Sequence, residues 1–204
     1  MTQNEFFSSH LAGTPVIAIL RGFAPTEALV LATKAWDSGI SLVEVPIQDE
    51  SGREALSVVA SRAQELGRPI GAGTVLTPSD VEFAASVGCS FTVAPGFNES
   101  VCRRASELSL FHLPGVATAT EVAEAQALGL RWQKAFPASE LGIGWMTAMQ
   151  GPFPEVKFVA TGGIDASNAT HFLDGGALAV GVGSAFTEPG LLKAIAVYER
   201  KTHS

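Results

Sequence analysis

The chain has 204 residues, a net charge of −7 at pH 7, 47% hydrophobic residues and only 16% charged ones. That supplies a large core, and a pI near 5.1 with scattered basic residues excludes a polyanion-binding face, so no nucleic-acid partner is expected. Two cysteines, Cys89 and Cys102, make neither a disulfide framework nor a thiolate metal site. No apolar run approaches the roughly 20 residues of a membrane span, and no basic-then-apolar leader opens the chain. The expectation is a soluble cytoplasmic protein without a membrane partner.

A short amphipathic helix is predicted over 4–12. From Pro15 onward, short β-branched apolar runs alternate with longer Ala-rich stretches of helical period. The runs are 16–20, 42–46, 70–74, 91–94, 111–114, 130–134, 157–161 and 178–181. They are apolar throughout rather than alternating, as parallel strands covered on both faces are. Their starts are mostly twenty-odd residues apart, the rhythm of repeated βα units. Helix starts are marked by Thr77-Pro78-Ser79-Asp80 and by the capping box Thr118-Ala119-Thr120-Glu121. Stops are marked by Gly39, Gly67, Gly88 and Gly129. The weakest stretch is 139–154, with a short helix over 145–150 and a loop over 151–154. The first strand is followed by Arg21-Gly22-Phe23-Ala24-Pro25, without a G-x-G-x-x-G fingerprint. Eight strands and eight helices, with one helix extra at the front, predict a (β/α)8 TIM barrel. One domain is expected over 1–204, with 1–14 as the lead-in helix. In such a barrel function belongs at the C-terminal strand ends.

Arg21 ends the first strand, where its fork suits a carboxylate or phosphate; an ion pair at the barrel mouth explains it equally well. Glu44 is the one carboxylate that interrupts an apolar strand, and burial would raise its pKa into the range useful for proton transfer. An arginine's structural partner is the plainer reading. Thr74 closes Gly71-Ala72-Gly73-Thr74, whose glycines permit close backbone approach. Pro95-Gly96 and Pro114-Gly115 are turns first. Thr161-Gly162-Gly163 and Gly181-Val182-Gly183-Ser184 end the last two strands, where barrels build phosphate sites from backbone N–H groups. Lys134 is the one lysine of five at a C-terminal strand end, whereas Lys157 starts its strand at the wrong face, and Lys193 and Lys201 fall in the last helix. Alone, Lys134 reads as a lysine snorkelling to water. With Glu44 on another even-numbered strand and a phosphate site beside it, it suggests Schiff-base chemistry on a phosphorylated keto compound. No histidine cluster suits a metal, and no cofactor is expected.

These motifs resemble one family along residues 15–186. They are Ile-Leu-Arg-Gly (19–22), Glu-Val-Pro (44–46), Gly-Ala-Gly-Thr-Val (71–75), Ala-Pro-Gly (94–96), Pro-Gly-Val-Ala-Thr-Ala-Thr-Glu (114–121), Lys-Ala-Phe-Pro-Ala (134–138) and Thr-Gly-Gly-Ile (161–164). The chain resembles the class I aldolases for 2-keto-3-deoxy-6-phosphogluconate and 2-keto-3-deoxy-6-phosphogalactonate (KDPG/KHG aldolases). The resemblance implies a homotrimeric barrel and reversible cleavage to pyruvate and glyceraldehyde 3-phosphate. It implies Lys134 as the Schiff-base lysine and Glu44 as the acid/base acting through a water. Arg21 and Thr74 would hold the pyruvyl carboxylate, Pro95 and Phe136 would line the pocket, and Thr161 would meet the substrate hydroxyls. Gly162, Gly163, Gly183 and Ser184 would take the phosphate. Two departures stand out. Ala135 replaces the first of two phenylalanines after the lysine, which predicts a thinner apolar wall beside the amine. Residues 139–150 match neither branch of the family, and unphosphorylated keto acids fall within the expected range. Thr161 resembles the gluconate branch, while several other motifs resemble the galactonate one. An isomerase or epimerase on the same barrel, or a non-catalytic phosphosugar-binding barrel, are the competing readings.

Overall fold

Nine parallel strand segments form the barrel wall: β1 (Val16–Ile19), β2 (Leu42–Pro46), β3 (Ile70–Gly73), β4 (Phe91–Val93), β5 (Phe111–Leu113), β6 (Gly115–Val116), β7 (Trp132–Ala135), β8 (Lys157–Thr161) and β9 (Ala179–Val182). They are hydrogen-bonded in the order β5-β4-β3-β2-β1-β9-β8-β7-β6. The structure, a computed structural model, describes residues 1–187, 190, 191 and 195. Lys193 and Lys201 lie outside the described residues. Eight predicted runs become nine segments because the fifth continues past Pro114, which has no N–H to give the ladder. β5 pairs with β4 and β6 with β7, while Lys134 N–H donates to Pro114 O at 2.8 Å. The ring therefore closes through a single interrupted strand, and the sixth predicted strand is β7. The third run stops one residue short of Thr74, which adopts φ 57°.

The helices follow the strands: α1 (Gln3–Leu11), α2 (Pro25–Asp37), α3 (Glu50–Leu66), α4 (Pro78–Ser86), α5 (Glu99–Glu107), α6 (Ala119–Ala127), α7 (Ala138–Gln150) and α8 (Ala169–Asp174). Their ends obey local chemistry. Thr77 and Thr118 form capping boxes with Asp80 and Glu121. Gly39, Gly67, Gly88 and Gly129 all take positive φ at the expected stops. α7 starts earlier than the expected 145–150 and is two pieces joined at Gly142, whose φ of 73° breaks the helix. Its second piece packs Trp145 edge-on against Phe158 of β8 at 5.3 Å.

Burial divides the core in two. One cluster lies between the sheet and the outer helices. The other fills the barrel interior with Ile17, Leu42, Phe91, Val93, Leu113, Trp132, Val159 and Ala179. α1 closes the bottom of that interior. Phe6 stacks on Phe111 at 4.3 Å, and Phe7 meets Phe91 and Trp132 at 5.9 and 6.2 Å. The Gln3 side chain donates to the carbonyls of His112 and Trp132 and accepts from Trp132 N–H. Lys157, at the foot of β8, donates to Asn4 and Ser8 on α1. Aromatic rings and a polar clasp thus plug the interior at the N-terminal ends of the strands. Among the described residues no helix is long and apolar enough to cross a membrane.

Candidate active site

Strand pleat decides which polar side chains enter the barrel. Leu42 and Trp132 point inward, so Glu44 and Lys134, two residues further on, do so as well. Both are buried, with 1% and 4% of their surface exposed. Room for Glu44 comes from β3: a Cβ on Gly73 would sit 2.8 Å from Glu44 Oε1. Oε1 has no hydrogen-bond partner among the described residues. Lys134 Nζ lies 5.0 Å from the centre of the Phe136 ring and has neither hydrogen bond nor ion pair among them.

The two charges are electrostatically coupled, and burial dominates both. Desolvation raises the Glu44 carboxyl above its ordinary range, opposed by Lys134 and Arg21. Desolvation lowers the Lys134 ammonium below the usual lysine range; Glu44 opposes this and Arg21 adds to it. Lysine thus shifts toward free amine and glutamate toward a proton-carrying acid.

Arg21 reaches over the mouth, donating to Thr74 Oγ1 at 3.0 Å and Gln48 Oε1 at 3.1 Å. Thr74 is held for this contact in the left-handed region, uncommon outside glycine. Pro95 lies beside the β6–β7 pair: its carbonyl occupies the space a Cβ on Gly115 would need, and Gly115 is the register partner of Lys134. Thr161 is buried against Gly181, whose missing side chain makes room for the hydroxyl. After β8, Gly162 and Gly163 take φ of 96° and 72°, with Gly162 under the Phe136 ring and Gly163 against Ser139. Gly183 leads into a 3-10 turn, Ser184–Thr187, and a Cβ there would meet nothing within 4 Å among the described residues; the Ser184 side chain lies outside the described set.

One expectation is corrected. Ala135 does not thin the wall beside the amine. It follows the inward Lys134, so it faces outward, fully buried in the sheet–helix layer. Among the described residues Phe136 alone supplies a ring near Nζ. Sequence reasoning also missed Gln48, Ser139 and Asn168. Gln48 follows the Glu-Val-Pro strand directly, a signal that was present; the other two act across loops and leave no local mark.

A plugged barrel with a buried lysine that has no hydrogen bond or ion pair among the described residues, and a buried glutamate, defines a Schiff-base lyase class of site. The family model for KDPG and KHG aldolases matches residues 7–200, and the chain belongs to that family. It is 34% identical over 171 residues to 2-dehydro-3-deoxy-6-phosphogalactonate aldolase of Escherichia coli (strain K12), covering 83% of each chain. It is 34% identical over 160 residues to 2-dehydro-3-deoxy-phosphogluconate aldolase of Pseudomonas aeruginosa, covering 78% of this chain and 70% of that one. The KDPG aldolase of Legionella pneumophila, captured at low pH with pyruvate as a covalent carbinolamine, superposes with a TM-score of 0.81 at 30% identity, covering 92% and 90%. The protein is an enzyme, an aldolase of the class I type, acting on small molecules.

Proposed function

We propose that the enzyme reversibly cleaves 2-keto-3-deoxy-6-phosphogluconate or its galactonate epimer to pyruvate and glyceraldehyde 3-phosphate, with Lys134 as the nucleophile. The observation that carries this reading is the Lys134 amine, buried without a hydrogen bond or ion pair among the described residues, in the same interior as the buried Glu44. Its depressed pKa supplies the free amine that adds to the C2 keto group. Loss of water from the carbinolamine leaves a protonated Schiff base. Removal of the C4 hydroxyl proton then drives the C3–C4 electron pair into the iminium and releases the aldehyde. The remaining enamine takes a proton at C3, and hydrolysis returns pyruvate and the lysine. Glu44, acting through a water, moves the protons, which a raised pKa suits.

Arg21, with Thr74 as its anchor, holds the carboxylate. Pro95 and Phe136 wall the pocket, Thr161 meets the substrate hydroxyls, and Gly162, Gly163, Gly183 and Ser184 take the phosphate. The same reading carries a homotrimer, a cytoplasmic location and one folding unit over 1–204. Borohydride reduction in the presence of pyruvate is expected to leave a pyruvate-sized adduct on Lys134, absent in Lys134→Ala. Cleavage by a folded Lys134→Ala variant at the wild-type rate overturns the assignment, and an absent adduct in the wild type returns the reading to an isomerase or epimerase. Turnover of the two C4 epimers, phosphorylated and not, ranks the substrates.

A further inference from the structure

The loop after β8 is pinned by groups that no strand supplies. Ser139 N–H, in the first turn of α7, donates to Gly162 O at 3.0 Å. Asn168, just before α8, is half-buried; its Nδ2 donates to Gly163 O at 2.7 Å. Its Oδ1 accepts from Asp165 N–H at 3.0 Å, so one amide side chain bridges the loop from Gly163 to Asp165. Asp165 is itself fixed by Ser167, whose N–H and hydroxyl both donate to Oδ1.

A planar trans peptide holds its N–H opposite its C=O. With Gly162 O turned to Ser139, the Gly163 N–H points away from α7. With Gly163 O turned to Asn168, the Ile164 N–H points away from that side chain. Neither N–H donates to any group among the described residues. Gly163 is exposed and the Ile164 side chain is buried, and two unspent backbone donors on a loop of two left-handed glycines are what a phosphoryl group binds. The glycines themselves have almost no preference that would hold the peptides this way round. An external clamp must do it.

We propose that Asn168 is the positioning residue of the phosphate subsite, fixing the Gly163–Ile164 peptide so that its N–H joins that of Gly163 in binding the substrate phosphate. The inference rests on the reading of Gly162 and Gly163 as phosphate-binding, and it adds Ile164 N–H as a donor. Asn168 touches no substrate; it acts through the loop. Its loss therefore weakens the grip on phosphate without altering the chemistry at Lys134.

The experiment uses the condensation direction, pyruvate with either glyceraldehyde 3-phosphate or glyceraldehyde, and inorganic phosphate as inhibitor. Two variants are compared. Asn168→Ala removes both bonds. Asn168→Asp keeps the acceptor for Asp165 N–H but offers Gly163 O no donor, so it tests the clamp with the local turn retained. Both are expected to reduce the preference for the phosphorylated aldehyde by about 10–100-fold, the scale of a hydrogen bond to a charged group. The loss should lie in KM for glyceraldehyde 3-phosphate and in a matching rise of the inorganic phosphate inhibition constant, with KM for pyruvate near wild type. Wild-type preference in a folded Asn168→Asp variant overturns the proposal, as does an equal loss with both aldehydes. If the wild type prefers neither aldehyde and phosphate does not inhibit, the phosphate reading itself falls, and the role of Asn168 with it.

Discussion

On the proposed role of Glu44 as acid/base, Gly73→Ala should damage catalysis by moving Glu44 while leaving its chemistry intact. Gly73 has no positive φ, so its backbone accepts alanine. The new methyl would meet Glu44 Oε1 at 2.8 Å, Glu44 Cδ at 3.2 Å and Pro46 Cα at 3.3 Å. Ordinary contact begins at 3.4 Å, so the backbone contact needs only a small adjustment while the carboxyl must retreat by about 0.6 Å. Glu44 is 1% exposed, so it has no open space to retreat into and must rotate. Misplacing a catalytic group by about 1 Å costs on the order of 10²-fold. Deleting general acid–base catalysis costs about 10²–10⁴-fold. We therefore expect kcat to fall about 10–100-fold, less than in Glu44→Gln. Stability should fall by about 0–2.6 kcal/mol, the balance of about 0.4–1 kcal/mol gained from a stiffer unfolded chain against about 1–3 kcal/mol of overpacking, so kcat is read per folded molecule. The assay is pyruvate release, run on Gly73→Ala, Glu44→Gln and the double variant. Because the methyl acts only through the carboxyl group, adding it to Glu44→Gln should change kcat by less than about threefold, the non-additivity of residues in contact. A Gly73→Ala enzyme at full speed, or an equal fractional loss in both backgrounds, refutes the account.

Arg21→Met removes a cation that depresses the Lys134 ammonium, so the alkaline rise in the rate of pyruvate adduct formation should move to higher pH; Glu44→Gln removes the opposing anion and should move it lower. The two shifts, read from rate–pH profiles, must have opposite signs. Burial lowers the His112 pKa from 6.5 to about 4, so the neutral ring contributes its full stability above pH 6.5, and that contribution is lost as pH falls toward 4 while the unfolded chain takes up the proton. At about 1.36 kcal/mol per pH unit this amounts to ~3 kcal/mol; urea midpoints of His112→Gln should show a shallower acid slope than wild type, and parallel slopes refute the assignment. Phe7→Ala empties the plug at the closed end of the barrel and should cost ~3–5 kcal/mol in urea titrations, with kcat per folded molecule near wild type.

What the sequence made legible was local. Capping boxes at Thr77 and Thr118, left-handed glycines at helix ends and continuous apolar runs are each written within a few residues, and so is the order of βα units. The break at Pro114 was visible as a proline, but its consequence, one strand shared between two ladders, depends on which neighbours it pairs with. The plug was visible only as Phe6-Phe7 in an otherwise ordinary helix, because its meaning lies in rings more than eighty residues away. Ala135 is different: strict alternation from an inward Lys134 required it to face the helices, and the expectation that it lined the amine ignored that rule.

The same alternation explains why some buried polar groups belong to the candidate site and others do not. Among the described residues six polar or charged side chains are buried: Glu44, Thr92, His112, Gln133, Lys134 and Thr161. Thr92, His112 and Gln133 follow inward residues of β4, β5 and β7, so they face the helices. There each has at least one fixed partner, Thr92 to His112 Nδ1 at 2.8 Å and Gln133 Nε2 to the carbonyls of Leu130 and Val122, although His112 Nε2 and Gln133 Oε1 have none among the described residues. Glu44, Lys134 and Thr161 share parity with Leu42, Trp132 and Val159, so they face the interior. None of the three has a side-chain hydrogen bond among the described residues, and all lie toward the C-terminal ends of their strands. Burying unpaired polar groups costs stability, so the interior cost falls at the mouth, where a bound molecule can supply the missing partners. The aromatic plug at the other end makes this arrangement sustainable. It closes the interior from below, and the aromatic packing there helps to offset what the site gives up. Cutting that packing at Phe7 and releasing Glu44 at Gly73 should consequently act on separate quantities, stability in the first case and turnover in the second. A Phe7→Ala variant that lost turnover per folded molecule as steeply as Gly73→Ala would show that the plug and the site are one coupled unit.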